Sequence, residues 1–306
     1  KKEPTKEQPS STNPIETLVG PTLNPKQEQI VKGFLNCPAG TLHVVQGPPG
    51  CGKTTLLVSL IRNYLENRTE DSKALMVCAP TNKAVSVLAT RFLSDVCRQG
   101  EDPDVGVTVV GDYCKLSDGQ GTESSLRPYH LFQFLKAIKS EIGKVMDYCG
   151  ATVARGNKTH ANLCHNLRRV QLRLKKRLQN LPSNIDTGVE SLCIALEGRA
   201  SLDTTRKICQ EVLKELKRKN IKDNYKSDMI MSTDVFFCTL VSAGGCAMYH
   251  ANIDDLVVDE AAAATEPALY IPLRFRPQRM LIVGDPQQLP AVVTSDRAKE
   301  LGLSES

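Results

Sequence analysis

The 306-residue chain contains no tryptophan and only seven tyrosines and seven phenylalanines, and no apolar run approaches the roughly 20 residues that a bilayer requires. The second shortage excludes a membrane-spanning helix. Paired Cys-x-x-Cys spacing is also absent. Eleven cysteines lie scattered, an odd number, and several, Cys78 and Cys238 among them, sit in apolar runs where a thiol behaves as a small hydrophobe. This usage fits free thiols in a reducing compartment, so an intracellular setting, nuclear or cytoplasmic, is expected. It also argues against a zinc site at Cys149, His160, Cys164 and His165, close together as they are in sequence. The chain opens Lys-Lys-Glu-Pro with neither methionine nor an apolar leader, as a processed or excised piece would.

What is present is globular in character: 41% hydrophobic and 24% charged residues, and length enough for one large domain or two ordinary ones. The net charge of +5 is modest but unevenly spread. Residues 127–226 hold 21 Lys or Arg against 9 Asp or Glu, a net of +12, which leaves the other 206 residues at −7. Within that segment Arg168, Arg169, Arg173, Lys175, Lys176 and Arg177 decorate a helix, and Lys214, Lys217, Arg218 and Lys219 follow on a second. An antiparallel helical pair fits. A cationic surface of this kind attracts phosphates without reading base sequence; a solvated helix face is the alternative.

Residues 1–18 are polar and rich in Pro, Ser, Thr, Lys and Glu, as in a flexible tail. Short continuous apolar runs follow at 42–45, 74–78, 235–238, 256–258 and 280–283, each the length of a buried parallel strand. Between the first two, Leu56, Leu57, Leu60, Ile61 and Leu65 share a helical face, and residues 84–96 repeat that spacing after the second. Strand, helix, strand at this length is a crossover unit. The next strand is expected only at Val235, so the residues between form an insertion. Leu131, Leu135, Ile138, Ile142 and Val145 recur at helical intervals within it, as do Leu167, Val170, Leu174, Leu178 and Leu181, then Ile208, Val212 and Leu216.

Residues 47–54 read GPPGCGKT, which satisfies G-x-x-x-x-G-K-[ST] between a strand and an amphipathic helix. Glycines let successive amides turn inward around phosphates, and the helix points its positive end at them. In such a loop Lys53 reaches the outer phosphates and the Thr54 hydroxyl ligates Mg2+. A second signal is LVVDE at 256–260, an apolar strand ending in two carboxylates. Asp259 is placed to hold Mg2+, and Glu260 to orient an attacking water. A third strand ends in GDPQQLP at 284–290, where Gln288 could hydrogen-bond a γ-phosphate; taken alone the segment is a turn.

These blocks, with LNPKQ at 23–27, APTNKAV at 79–85 and DVFFCT ending at Thr239, resemble the superfamily 1 helicases of the up-frameshift and senataxin-like group. LNPKQ resembles their adenine-reading element, GPPGCGKT their motif I, APTNKAV their motif Ia, VVDEAAAATEPA their motif II and LIVGDPQQLPAVV their motif III. The resemblance covers about half of the chain, in matching order. It implies an α/β fold: a RecA-like P-loop NTPase with a parallel sheet flanked by helices, interrupted by an α-helical insertion. The expected division is a flexible tail over 1–18, a RecA-like first part over 19–112, the basic helical insertion over 113–228 and a RecA-like second part over 229–306.

The resemblance also implies ATP and Mg2+ as cofactors and single-stranded RNA or DNA as partner. Gln27, Gly47, Pro48, Pro49, Gly50, Cys51, Gly52, Lys53, Thr54 and Thr55 would bind nucleotide. Thr54 and Asp259 would hold the metal, Lys53, Glu260 and Gln288 would act in hydrolysis, and Pro80, Thr81, Asn82 and Thr239 would meet nucleic-acid phosphates. Helix capping and a strand end are the alternative for these positions, and account equally well for Thr81 and Asn82. Cys51 stands where the family usually has threonine, and Ala263 where it has glutamine. The family's second RecA-like domain, with its arginine fingers, has no counterpart in the chain, so weak nucleotide binding and slow hydrolysis are expected. A non-enzymatic nucleic-acid-binding or scaffolding module with a retained nucleotide fold is the rival reading, and a P-loop ATPase acting on protein a third.

Overall fold

The structure is a computed structural model that describes residues 15–69, 72–97, 105–116, 125–150, 157–177, 183–197 and 200–304. Helix α1 (Pro25–Asn36) starts with a capping box: the Asn24 side chain accepts from the Gln27 amide, and the Gln27 side chain accepts in return from the Asn24 amide. Strand β1 (Thr41–Gln46), helix α2 (Lys53–Glu66), strand β2 (Ala74–Ala79) and helix α3 (Asn82–Val96) then form the expected crossover. Every residue of β2 is buried, as a central parallel strand requires.

Sequence spacing missed the next strand. β3 (Val107–Val110) is only four residues long, and it closes the far edge of the sheet beyond β4 (Val235–Thr239). The third strand in chain order is therefore Val107–Val110 and not the run at Val235. Its side chains are all buried because the segment around His130, bridged to Val109, covers that edge. With β5 (Ile253–Val258) and β6 (Arg279–Gly284), the result is a six-stranded, all-parallel sheet in the order β1-β6-β5-β2-β4-β3. All the strands point one way, so all their C-terminal ends lie along one rim, where α/β sheets bind ligands.

Helices α1, α2 and α3 share one apolar cluster with β2, β3 and the alternate residues of their neighbours. Ile15 and Leu18 also pack there, and the Ile15 and Val19 amides donate to the Asn36 and Asn63 side chains at 2.8 Å. The last residues of the expected flexible tail are thus fastened to the domain; residues 1–14 lie outside the described residues.

The opposite face of the sheet is continuous with the insertion. After a short helix α4 (Tyr113–Leu116) the insertion consists of α5 (Phe134–Gly150), α6 (Asn157–Arg177), α7 (Ser183–Glu197), α8 (Leu202–Glu215) and α9 (Lys219–Met231). α7 and α9 were not anticipated. The expected stripes on α5, α6 and α8 are buried except for a half-buried Ile208, while Leu178 and Leu181 fall outside the described residues. Short helices α10 (Leu240–Ala243), α11 (Glu266–Tyr270) and α12 (Asp296–Glu300) complete the chain.

The basic stripe of α6 differs from expectation. Instead of an antiparallel pair with one exposed face, α6 packs against α5, α7 and α9, and its cations divide: Arg173 and Arg177 turn inward while Arg168 and Lys175 stay exposed. Arg173 is buried and donates to Glu141 at 2.9 Å. Arg177 is buried on hydroxyls of Thr108 (2.8 Å) and Thr233 (3.1 Å) and on the Ser232 carbonyl (3.2 Å). Burial lowers the Arg177 pKa to about 10, opposed by Asp234, which still leaves it charged at neutral pH. Arg168 pairs with Glu197, and Lys175 with Asp186 at 3.2 Å. Much of this charge braces the insertion against the sheet and its own helices.

Candidate active site

The loop after β1 is shaped by what its glycines lack. A Cβ on Gly47 would sit 2.9 Å from the Cys51 sulfur and 3.1 Å from Cγ of Lys53, so only glycine lets the loop close this tightly. Gly52 has φ 85°, and a Cβ there would meet the Gln27 amide nitrogen at 2.8 Å. The Gly47 amide donates to the Gly284 carbonyl at 3.0 Å, which ties the loop to the tip of β6. Helix α2 begins at Lys53 with no side-chain cap, so the amides of its first turn have no side chain competing for them.

Lys53 folds back over the loop. Its Nζ donates to the Gly47 carbonyl at 2.9 Å and stands 3.9 Å from Oε1 of Glu260. Glu260 follows β5 and has φ 51°, ψ 38°, a left-handed conformation that costs a residue with a Cβ about 1 kcal/mol or more. Asp259, one residue earlier, is 6% exposed, and its Oδ1 accepts from the Glu260 amide at 2.9 Å. Burial first, and the Glu260 carboxylate second, push the Asp259 pKa up to about 6, against the pull of the Glu260 amide and Lys53.

At the tip of β6, buried Asp285 acts as a small scaffold that sequence reasoning missed. It accepts from the Gln287 amide at 3.1 Å and from the Gln288 side chain at 3.3 Å. Gln288 then lines an open cleft of about 710 Å³ together with Pro49, Gly50, Gly52, Lys53, Thr54, Thr55 and Glu260. The opposite wall is α3, where Lys83, Val87 and Arg91 recur every four residues and so share one face. That spacing was legible and went unread.

Gln27 clamps the back of the loop. Its Nε2 donates to the Cys51 carbonyl at 3.1 Å while Oε1 is held by the Asn24 amide. The residues expected to meet nucleic acid lie farther along the same rim. Thr81 caps α3 by accepting from the Ala84 amide at 3.2 Å, and Asn82 Oδ1 accepts from the Asp112 amide at 3.0 Å. Thr239 caps α10 and donates to Ser242 Oγ at 2.7 Å. Pro80 joins β2 to Thr81, and Ala79 and Thr239 sit in register on adjacent strands.

Among the described residues no three His, Cys, Asp or Glu side chains gather into a metal cage. A hydroxyl, Thr54, lines the cleft instead, and a carboxylate, Asp259, immediately precedes Glu260, which lines it too. Two hard oxygen donors of this kind suit a Mg2+ whose remaining ligands are phosphate and water.

The family model described as an AAA domain matches residues 22–296. The chain belongs to the AAA domain family. Its AAA domain is also similar to helicase sen1 of Schizosaccharomyces pombe, at 24% identity over 86% of this chain and 16% of that protein. The human probable helicase senataxin is 25% identical over 86% of this chain and 10% of its own length. ATP-dependent helicase NAM7 of Saccharomyces cerevisiae is 27% identical over 93% of this chain and 22% of its length. The AAA domain therefore spans a tenth to about a fifth of these relatives. It is related to the superfamily 1 helicase motor domains that the motifs resembled, with the α/β parallel sheet expected of them. No helix among the described residues is long and apolar enough to cross a membrane.

Proposed function

We propose that the AAA domain is the first motor half of an ATP-driven helicase or translocase acting on single-stranded RNA or DNA. One observation carries this reading: Lys53, Thr54, Glu260 and Gln288, drawn from three strand tips, line one cleft walled by a glycine-built amide loop. Structural ion pairs rarely assemble around a loop of open amides with a strained carboxylate beside it.

In this reading the α2 amides and Lys53 receive the phosphates, Lys53 leaving the Gly47 carbonyl to do so. Thr54 and Asp259 hold Mg2+, which when bound neutralises phosphate charge. Glu260 orients a water and accepts its proton, and Gln288 contacts the γ-phosphate. Gln27, fixed between α1 and the loop, reads the adenine. Pro80, Thr81, Asn82 and Thr239 meet nucleic-acid phosphates, and a second RecA-like domain closes the cleft.

The test is binding and hydrolysis of ATP with and without an oligonucleotide, beside Lys53→Ala. Wild type binds ATP, turns it over slowly and is stimulated by the oligonucleotide; Lys53→Ala loses binding by at least about tenfold. Unchanged turnover in Lys53→Ala removes the assigned site. Turnover indifferent to oligonucleotide favours an ATPase acting on protein, and oligonucleotide binding without turnover favours the non-enzymatic module.

A further inference from the structure

The rim continues past the residues just described. Asn82 holds the Asp112 amide beyond the end of β3, and Tyr113 stacks edge-on against His130 with ring centroids 5.2 Å apart. His130 is buried, its Nε2 donating to the Gly111 carbonyl at 3.1 Å and its Nδ1 accepting from the Phe132 amide at 3.2 Å. Burial lowers its pKa, so it remains the neutral tautomer that both bonds need. The product of this bracing is Phe132, a large apolar ring 40% exposed at the mouth of the insertion.

Cations begin where the ring ends. Lys226 Nζ stands 4.8 Å from the Phe132 centroid, and Lys222 lies one turn earlier on α9. Lys222 and Lys217 are close enough to Lys139 on α5 that, after burial, they are what lowers its pKa. Among the described residues no carboxylate pairs with Lys139, Lys217, Lys222 or Lys226, unlike the braced cations of α6. Like charges left together without a counterion are a standing cost, which a bound polyanion relieves. An exposed aromatic ring at the head of such a run favours an anion that also carries flat rings.

We propose that a single-stranded nucleic acid passing Thr81 and Asn82 continues across the insertion, with a base against Phe132 and phosphates along Lys226, Lys222, Lys139 and Lys217. This rests on the nucleic-acid reading above, and assigns the insertion's binding surface to α5, the α8–α9 turn and α9 rather than to the arginines of α6.

The experiment titrates the whole chain with a short labelled oligonucleotide, and with its abasic counterpart, at several salt concentrations by fluorescence anisotropy. Phe132→Ala and the triple variant Lys139→Ala, Lys217→Ala, Lys222→Ala are compared with wild type, with thermal unfolding and binding of a fluorescent ATP analogue as controls. Phe132→Ala weakens the base-bearing oligonucleotide about tenfold and leaves the abasic one unchanged. The triple variant weakens both and flattens the plot of log affinity against log salt by about 2. Wild-type oligonucleotide binding with neither variant affected overturns the proposal and leaves the functional reading standing. A triple-variant effect without a Phe132 effect also overturns it, in favour of a surface for any polyanion such as an acidic protein. Loss in Phe132→Ala with an unchanged salt slope overturns the phosphate path. ATP-analogue binding without any oligonucleotide binding defeats both this proposal and the nucleic-acid reading.

Discussion

The two halves of the strand-tip rim are built on opposite terms. Under β1, β6 and β5 two groups are held in costly states: a left-handed Glu260 and an acid buried beside another acid. Under β2, β4 and β3 the polar groups are already satisfied: Thr81 and Thr239 cap helices, and Asn82 holds the Asp112 amide. Strain persists only where surrounding structure over-determines it, and it clusters where chemistry is done. A half built from satisfied caps suits a surface that holds a polymer by its backbone and lets it go. Substitutions should therefore have opposite signs on the two sides.

The largest effect is expected at Glu260. Glu260→Gln keeps the side chain's shape and removes the base, so ATP turnover falls by about 10² to 10⁴ while nucleotide binding is retained. Glu260→Gly loses the same activity but relieves φ 51°, and urea unfolding finds it about 1 kcal/mol more stable than wild type. A Gly variant that is less stable would mean the left-handed turn stores no strain, and the contrast between the halves would lose its main support.

The next effect depends on pH. The folded chain raises the Asp259 carboxyl from 3.8 to about 6, so it binds that proton more tightly than the unfolded chain does. The associated stability is full below the unfolded value and is lost as pH rises through the folded one. At pH 7 and above, Asp259→Asn should thus gain on the order of 2 kcal/mol by removing a buried, ill-matched charge, and below pH 4 it should gain nothing. Unfolding midpoints of the two proteins across this range give the difference directly. Mg2+ with nucleotide should reverse the order, since it favours the ionised carboxylate that asparagine lacks. An Asn gain that is flat with pH would place the cause in packing instead.

How much of this was legible in the sequence divides along similar lines. The nucleotide cleft was readable because its signals are local: a strand, a glycine-lysine loop and a helix in one stretch, and acids or amides at the ends of apolar runs. Parallel pairing then brings such ends to one rim whatever the strand order. The bracing residues Asn24 and Asp285 act over three residues and were within reach; a capping box stands in the sequence at Asn24 and Gln27. β3 escaped because four residues carry almost no periodicity. The arginines of α6 misled because a charge run does not disclose its partners: Glu141 reaches Arg173 across 32 residues, and Thr108 reaches Arg177 across 69. Phe132 was invisible for the same reason, since its exposure is set by His130 and β3 rather than by its neighbours in the chain.

The smallest effects sharpen the comparison from its quiet side. Thr81→Ala and Thr239→Ala each remove a hydroxyl that caps a helix, through the Ala84 amide in one case and the Ser242 amide in the other. Each should lower stability by about 1 kcal/mol, the reverse of the gains expected at Glu260 and Asp259. Thr239 is 6% exposed and also donates to Ser242 Oγ, so Thr239→Ser, which keeps the oxygen, should recover most of the loss. If capping is the whole role, oligonucleotide affinity measured well below the unfolding temperature stays at the wild-type value in both alanine variants. If the hydroxyls also meet phosphates, affinity falls a few-fold in alanine and returns in serine, with nucleotide binding untouched in every case.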